Sequence, residues 1–577
     1  MATFSPWDYV VFSLVLGISA AIGIYFRFTG GKQKTTKEFL LANQNMSKWM
    51  VCVSLMTSFM SAVTILGVSA ENYQYGTLFV IINLSYIVTM PIAAYIFLPV
   101  FFKLGTTSVY EYLGRRFGPT ARLTASTVYL LQMILYMGIV LYAPALALEA
   151  VTGLNKVYAI LILGFVCTFY STIGGMKAVV FIDLFQSLLM FIAVFSVIVV
   201  AAIHADGLGD IWHEAERGGR IEFLNFDPDP TTRHTWWALI IGGTVTNLSL
   251  YGVNQVQVQR MQTTRNIKEA QKTLWLNLPI LSLLSLSTSL SGLAIYYMYK
   301  DCDPVLEGRI TLRDQVFPLF VIDFMGHIAG LAGLVVSGIF AASLSTISAS
   351  LNSLAAVTLQ DYVRPTYKKI KGQTFTEKQN TKASKILACL YGFLCIGMAF
   401  LAQLLGGILQ AALTIFGVVG GPLLGLFSLG MLNTRPNQKG ALTGLAAGLA
   451  MAFWIGFGGP RPPPKLLDFS DEGCKSVNST FLYIPKASDS DDSSYFWLYR
   501  VSYQWYSLIG FLVTFIVGYI ASFICELLKW DSNARIYEDK DKTIIKTDLF
   551  CPPLAKRLAR KNERLIKDEC KNGVDPK

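Results

Sequence analysis

Groups able to hold a small cation lie inside segments of this chain that are otherwise apolar. The run from Ser337 to Ser353 is packed with hydroxyls, with Ser345 and Thr346 at its centre. Such a helix in hydrocarbon faces either a partner helix, packed through small residues, or an ion path. A second run, Ser54 to Thr64, places four hydroxyls between positions 57 and 64. These could pack or bond back to their own helix. They could equally mark a broken helix whose freed carbonyls bind an ion. Neither Gly nor Pro interrupts the run, so both readings stand.

Asp183 is a carboxylate within an apolar span, where a charge costs about 2.5–3.5 kcal/mol at a helix centre. It follows Gly174-Gly175, a hinge between two apolar segments, and shares a helix face with Gln186. It is read as a hard oxygen ligand for a small cation, as a partner of Lys177, or as a group snorkelling to the inner interface. The stretch Tyr251 to Arg260 carries Asn254, Gln255, Gln257 and Gln259. Amides are unfavourable in lipid, so these face the protein interior or the inner surface.

The elements that must position these groups are membrane helices. The 577 residues are 53% hydrophobic and only 15% charged, against roughly 25% in soluble domains. Thirteen spans fit, near 7–26, 50–72, 77–101, 123–149, 157–174, 179–203, 236–259, 273–299, 328–359, 386–405, 408–432, 440–458 and 503–528. The chain divides into a transmembrane domain, 1–528, and a charged cytosolic tail, 529–577. The first apolar segment has no basic n-region and reads as a span, not a signal peptide.

The net charge of +11 is a topology signal here. With the N-terminus outside, inner loops hold 23 of the 48 Lys and Arg, outer loops 12 and the tail 13. The positive-inside rule therefore places the N-terminus outside and the C-terminus in the cytoplasm. Asn478-Ser479-Thr480 is a glycosylation sequon in a loop assigned outside. Cys302 and Cys474 are the only cysteines in outer loops, and a disulfide between them is expected. Zinc-type ligand spacing, a Walker phosphate loop and a nucleophile–base pairing are all missing from the sequence. This argues against an ATP-driven pump and against an enzyme.

The combination of Tyr251–Arg260, Gly174-Gly175 with Asp183 and Gln186, and the Ser345-Thr346 helix resembles the sodium/solute symporter family. Within it, Asp227-Pro228-Asp229-Pro230, Arg233-His234-Thr235, Thr107 to Leu113 and Leu409 to Ala412 are similar to the branch of sodium-coupled monocarboxylate, multivitamin and iodide transporters. The likeness runs from about residue 7 to 528. It implies an all-α polytopic fold with a LeuT-like inverted-repeat core, spans 2–6 (about 50–203) and 7–11 (about 236–432). It implies a main sodium site on the carbonyls of Thr57, Met60 and Ala342 with the hydroxyls of Ser345 and Thr346. A second sodium site would use Ser58, Asp183, Gln186 and Gln255.

Phe59, Thr64 and Asn247 match positions lining the substrate cavity in relatives; their plain roles are core packing and interhelical hydrogen bonds. Thr64 stands where the family's sugar carriers have His and its iodide carrier has Gln. Asn247 stands where the iodide carrier has Trp. These departures argue against sugar and iodide. The expected function is sodium-coupled import of a small organic anion, a monocarboxylate, at the plasma membrane, with co-transported sodium and no nucleic-acid partner. A multivitamin (biotin or pantothenate) or iodide-type carrier is the alternative. A sodium-gated sensor or leak channel on the same fold is the alternative of another class.

Overall fold

The computed structural model describes residues 4–29, 35–404, 407–474, 494–528, 530, 538–539 and 542–571. Helices dominate. In chain order the principal ones are α1 (Pro6–Phe28), α2 (Lys48–Phe59), α3 (Ala62–Tyr75), α4 (Thr77–Leu104), α5 (Pro119–Thr152), α6 (Lys156–His204), α7 (Ala238–Val253) and α8 (Gln255–Met261). There follow α9 (Ile267–Met298), α10 (Leu331–Lys371), α11 (Glu377–Ala402), α12 (Ile408–Leu432), α13 (Gln438–Phe457), α14 (Tyr503–Leu527) and the tail helix α15 (Pro552–Lys571). The tail also carries two short antiparallel strands, Glu538–Asp539 and Lys542–Ile545, which the all-helical expectation did not contain.

Ten of these helices are long and apolar enough to cross a membrane alone, and the bent pair α2–α3 makes an eleventh. Two shorter apolar helices, Lys156–Phe169 and Ala238–Val253, fall where the other two of the thirteen expected spans lie. The count of thirteen treats both as spans. Large apolar side chains such as Leu14, Ile18, Ile516, Ile520 and Phe523 are exposed on α1 and α14. In water such a surface would be a liability, whereas a bilayer covers it.

Three helix breaks organise the core. α2 ends at Phe59, and α3 restarts at Ala62 with a 59° bend. Met60 leaves the helix at φ −80° and ψ 101°, and the Ser61 hydroxyl caps α3 by accepting from the Val63 N–H. The hydroxyl run is thus a broken helix, made without Gly or Pro. α7 gives way to α8 at Asn254, whose side chain accepts from the Val256 N–H in the same manner. α6 breaks at Gly175, where φ is +64°, a left-handed conformation that glycine adopts without steric cost. The Gly174-Gly175 hinge lies where the sequence places it.

α10 lies against α6 at closest approach near Gly338. A Cβ there would stand 2.5 Å from the Leu189 carbonyl oxygen, so only glycine permits the contact. Two helical turns further along α10 this proximity brings Ser345 to α6. All residues from Ser337 to Ser353 are buried.

The bundle has a loop-rich face, formed by the loops around 204–235, 299–330, 459–474 and 494–502, and a basic face bearing the 102–122, 260–272 and 360–385 loops and the tail helix α15. On the loop-rich face the expected Cys302–Cys474 disulfide is present. The sequon Asn478 lies outside the described residues. Also on that face, Asp314 is buried and accepts from the Ile408 N–H at the start of α12, at 3.1 Å. Burial pushes its carboxyl up to about 6, the Ile408 N–H opposes this, and the Glu71 charge adds to the rise.

A carboxyl whose folded value is raised favours the fold below its unfolded pKa, and that contribution is lost as pH climbs through the folded value. Asp314→Asn keeps an acceptor for Ile408 and removes the charge. The variant should match the wild type in thermal stability below about pH 4 and exceed it above about pH 6, by at most about 3 kcal/mol. Melting curves of the solubilised protein across that range test this. A difference independent of pH would rule out titration of Asp314.

Candidate cation and solute site

Of the expected main-site residues, Thr57, Ala342 and Thr346 meet near the break between α2 and α3. The Thr346 hydroxyl on α10 donates to the Thr57 carbonyl at 3.2 Å and to the Ala342 carbonyl at 3.1 Å. Met60 is the residue at which α2 stops, so its carbonyl lies in the gap in helical bonding. Ser345, the neighbour of Thr346, points elsewhere. Its hydroxyl donates to Asp183 Oδ1 at 2.5 Å.

Asp183 is fully buried, and its cationic partner is Arg260 on α8, not Lys177. Arg260 Nη2 donates to Asp183 Oδ2 at 2.8 Å, and both side chains are 0% exposed. The Ser54 hydroxyl donates to the same carboxylate oxygen and accepts from Arg260 Nε at 2.7 Å. Four helices, α2, α6, α8 and α10, therefore meet on one carboxylate. Gln186 lies on the same helix, fully buried, and neither its amide oxygen nor its amide nitrogen has a hydrogen-bond partner.

The second group expected from the sequence is only partly assembled. Asp183 and Gln186 are together, but the Ser58 hydroxyl turns back to the Ser54 carbonyl of its own helix. Gln255, expected beside them, is elsewhere. Its Oε1 accepts from the Val109 N–H at 2.8 Å and its Nε2 donates to the Thr107 carbonyl at 2.7 Å. The cause is the break at Asn254, which makes Gln255 the first residue of a new helix facing the 106–110 turn. Gln257 and Gln259 are also interior, donating to the Leu55 and Leu40 carbonyls.

Of the expected solute residues, Phe59 is half-buried, its ring 5.7 Å from that of Tyr251 and 6.5 Å from that of Tyr86. Asn247 is buried and donates to the Ser85 hydroxyl at 2.8 Å, the interhelical bond that is its plain role. Phe59 and Asn247 thus both address the Ser85-Tyr86 step of α4. Thr64 is half-buried in the first turn of α3, after the break.

A charged cluster that draws on the Arg233-His234-Thr235 and Leu409–Ala412 stretches closes the loop-rich face; its pairing with Glu71 was not read from the sequence. Arg233 grips the buried Glu71 of α3 through Nε at 2.8 Å and Nη2 at 3.1 Å, and donates from Nη1 to Gln410 of α12 at 3.0 Å. His234 is buried beside it, 2.9 Å from the Tyr503 hydroxyl. Burial, then the Arg233 charge, hold its imidazole well below the ordinary value, so it is neutral. Arg233, His234, Gln410 and Tyr503 line a cavity of about 510 Å³ open to that face.

The sodium:solute symporter family model matches residues 39–448. This chain is a sodium:solute symporter family member. The symporter is 58% identical over 569 residues to a putative sodium-dependent multivitamin transporter of Drosophila melanogaster, covering 98% of this chain and 94% of the relative. It is 43% identical to sodium-coupled monocarboxylate transporter 1 of Mus musculus, over 95% of this chain and 92% of that one. A substrate-bound, outward-open structure of a Na+-coupled sialic acid symporter aligns with a TM-score of 0.74 at 25% identity, covering 90% of this chain and 98% of its own. The helical, LeuT-like fold expected from the sequence is the fold observed.

Removing the Asp183 charge strands a guanidinium in the symporter's interior. Asp183→Asn should cost about 3–5 kcal/mol, the usual penalty for breaking a buried pair from one side. Thermal stability measured by size exclusion after heating should fall, and Asp183→Asn/Arg260→Gln should recover most of it. Asp183→Asn/Lys177→Gln should not. A single variant as stable as the wild type would show that Arg260 does not depend on Asp183.

Proposed function

We propose that this symporter imports a small organic anion, a monocarboxylate, across the plasma membrane by alternating access, driven by sodium. The loop-rich face lies outside and the basic face in the cytoplasm. Its transmembrane domain is residues 1–528, with repeats near 50–203 and 236–432, and residues 529–577 form the cytosolic tail. The observation that carries the reading is Thr346 bonding the Thr57 and Ala342 carbonyls at a broken helix. Hard oxygen donors collected without a formal charge suit a weakly held, exchangeable sodium ion. Thr57, Met60, Ala342, Ser345 and Thr346 are its proposed ligands.

The solute binds between Phe59, Thr64 and Asn247. The α3 half-helix begins beside this space, and its N-terminus presents a positive dipole end to an anionic group. Asp183 and Gln186 are the proposed base of a second sodium site, supported by the buried amide of Gln186, which has no hydrogen-bond partner among the described residues. With two sodium ions per monoanion, one net charge enters per cycle, a gain of about 2.3 kcal/mol per 100 mV.

A second reading, import of a multivitamin such as biotin or pantothenate, is favoured by the 58% identical relative's name. A panel of labelled lactate, pyruvate, butyrate, nicotinate, biotin, pantothenate, iodide and glucose, with sodium or choline outside, separates the readings. Saturable, sodium-dependent accumulation of the short monocarboxylates supports the first and of the vitamins the second. Sodium current with no accumulated solute would support a channel and overturn both.

Ser345→Ala/Thr346→Ala should leave the protein at the surface and raise the half-saturating sodium concentration roughly tenfold or more, at about 1–3 kcal/mol per lost polar partner. Uptake against external sodium measures it. An unchanged curve would remove these hydroxyls from the site.

A further inference from the structure

The tail helix α15 docks on the basic face through one side only. Cys551, Ala555, Leu558 and Asn562 are buried and recur at the spacing of a single helix face. The Cys551 N–H donates to the Met431 carbonyl at 3.1 Å, where α12 ends. Arg116 ties down the same place. It donates to the carbonyls of Gly430, Asn433 and Pro436, and its guanidinium lies 5.4 Å from the Phe550 ring centre. The helix is therefore held in a defined position.

Its opposite side carries Lys556, Arg557, Arg560, Lys561 and Arg564, all exposed. Arg435, exposed in the turn between α12 and α13, faces the same cleft of about 940 Å³. Among the described residues none of these six cations forms an ion pair with a carboxylate. A solvated basic helix needs no cleft and no docking. Here like charges are gathered in a concavity and fixed there, an arrangement that a multivalent anion relieves.

The level of the cleft names the source of that anion. Arg435 sits between the ends of two apolar helices, and Lys439 Nζ, in the first turn of α13, donates to the Trp530 carbonyl at 2.7 Å. Trp530 is exposed just past the end of α14, as an interfacial anchor would be. The cleft thus opens at the depth of the headgroup layer. We propose that it binds the polyphosphorylated headgroup of an anionic inner-leaflet lipid, a phosphoinositide, and so clamps α15 between the transporter and the membrane.

The test uses the full-length protein in detergent, so it does not depend on the proposed orientation, solute or sodium sites. Native mass spectrometry with short-chain phosphatidylinositol 4,5-bisphosphate should show one bound lipid. Lys556→Gln/Arg557→Gln/Arg560→Gln/Lys561→Gln changes only exposed side chains and should weaken binding roughly a hundredfold or more. Lys368→Gln/Lys369→Gln/Lys371→Gln removes an exposed basic cluster outside the cleft and should leave binding unchanged. Equal loss in both variants would reduce the effect to diffuse surface charge and overturn the site. Equal or tighter binding of free inositol trisphosphate would reassign the cleft to a soluble ligand. No difference between the four-fold variant and the wild type would also overturn it.

Discussion

A carboxylate buried in a membrane protein must be compensated, and that requirement draws the core of this transporter together. Asp183 has no exposure at all, and every group that satisfies it comes from a different helix: Ser54 from α2, Arg260 from α8 and Ser345 from α10. Desolvating both members of the pair is expensive, so the arrangement is weak evidence for stability. Its consequence is positional. The unwound joint of α2–α3, the hinge arm of α6 and the hydroxyl run of α10 are held in one register by this shared carboxylate.

That register places two sets of oxygens side by side on consecutive residues. Ser345 reaches α6 while Thr346 reaches α2, so a displacement of α10 is felt at both. The breaks supply what continuous helices would withhold. Carbonyls are freed where α2 stops, and polar side chains, Ser61 and Asn254, cap the restarted segments by accepting from the Val63 and Val256 N–H groups. Gly338 is the geometric condition for all of it, since any larger residue there would push α10 off α6.

Much of this was legible in the sequence, and the exceptions have physical causes. Apolar periodicity located the spans, and Gly175 announced its hinge because left-handed backbone favours glycine. The α2–α3 break was left open because serine and methionine carry no obligatory backbone signal; only their surroundings decide whether they interrupt a helix. Arg116 and Arg260 read as charges of inner loops. A cation near a span end has the same sequence signature whether it points to solvent or into the protein, and both are buried. Glu71 lies near the end of an expected span, yet its partner Arg233 is in a loop 162 positions away. Gln255 bonds the 106–110 turn because the helix restarts at Asn254, an event that carries no mark in the sequence.

The pairing of Asp183 also constrains how a second sodium ion can bind. Ser54 and Ser345 now donate to the carboxylate, and hydroxyls can rotate to offer lone pairs to an ion instead. Arg260 cannot, because a guanidinium has only donors. A sodium ion sharing the carboxylate with it would meet a like charge at short range, about 4 kcal/mol at 4 Å and an effective dielectric of 20. A second cation at the proposed site would therefore require Arg260 to withdraw. With Arg260 in place the buried pair is neutral, and one sodium per monoanion moves no net charge. With Arg260 withdrawn, Asp183 and the unpartnered Gln186 amide form an anionic, oxygen-lined position, and the membrane potential contributes to uptake. If the proposed second site is used, stoichiometry on this scaffold would turn on whether Arg260 leaves Asp183 as much as on the presence of the aspartate.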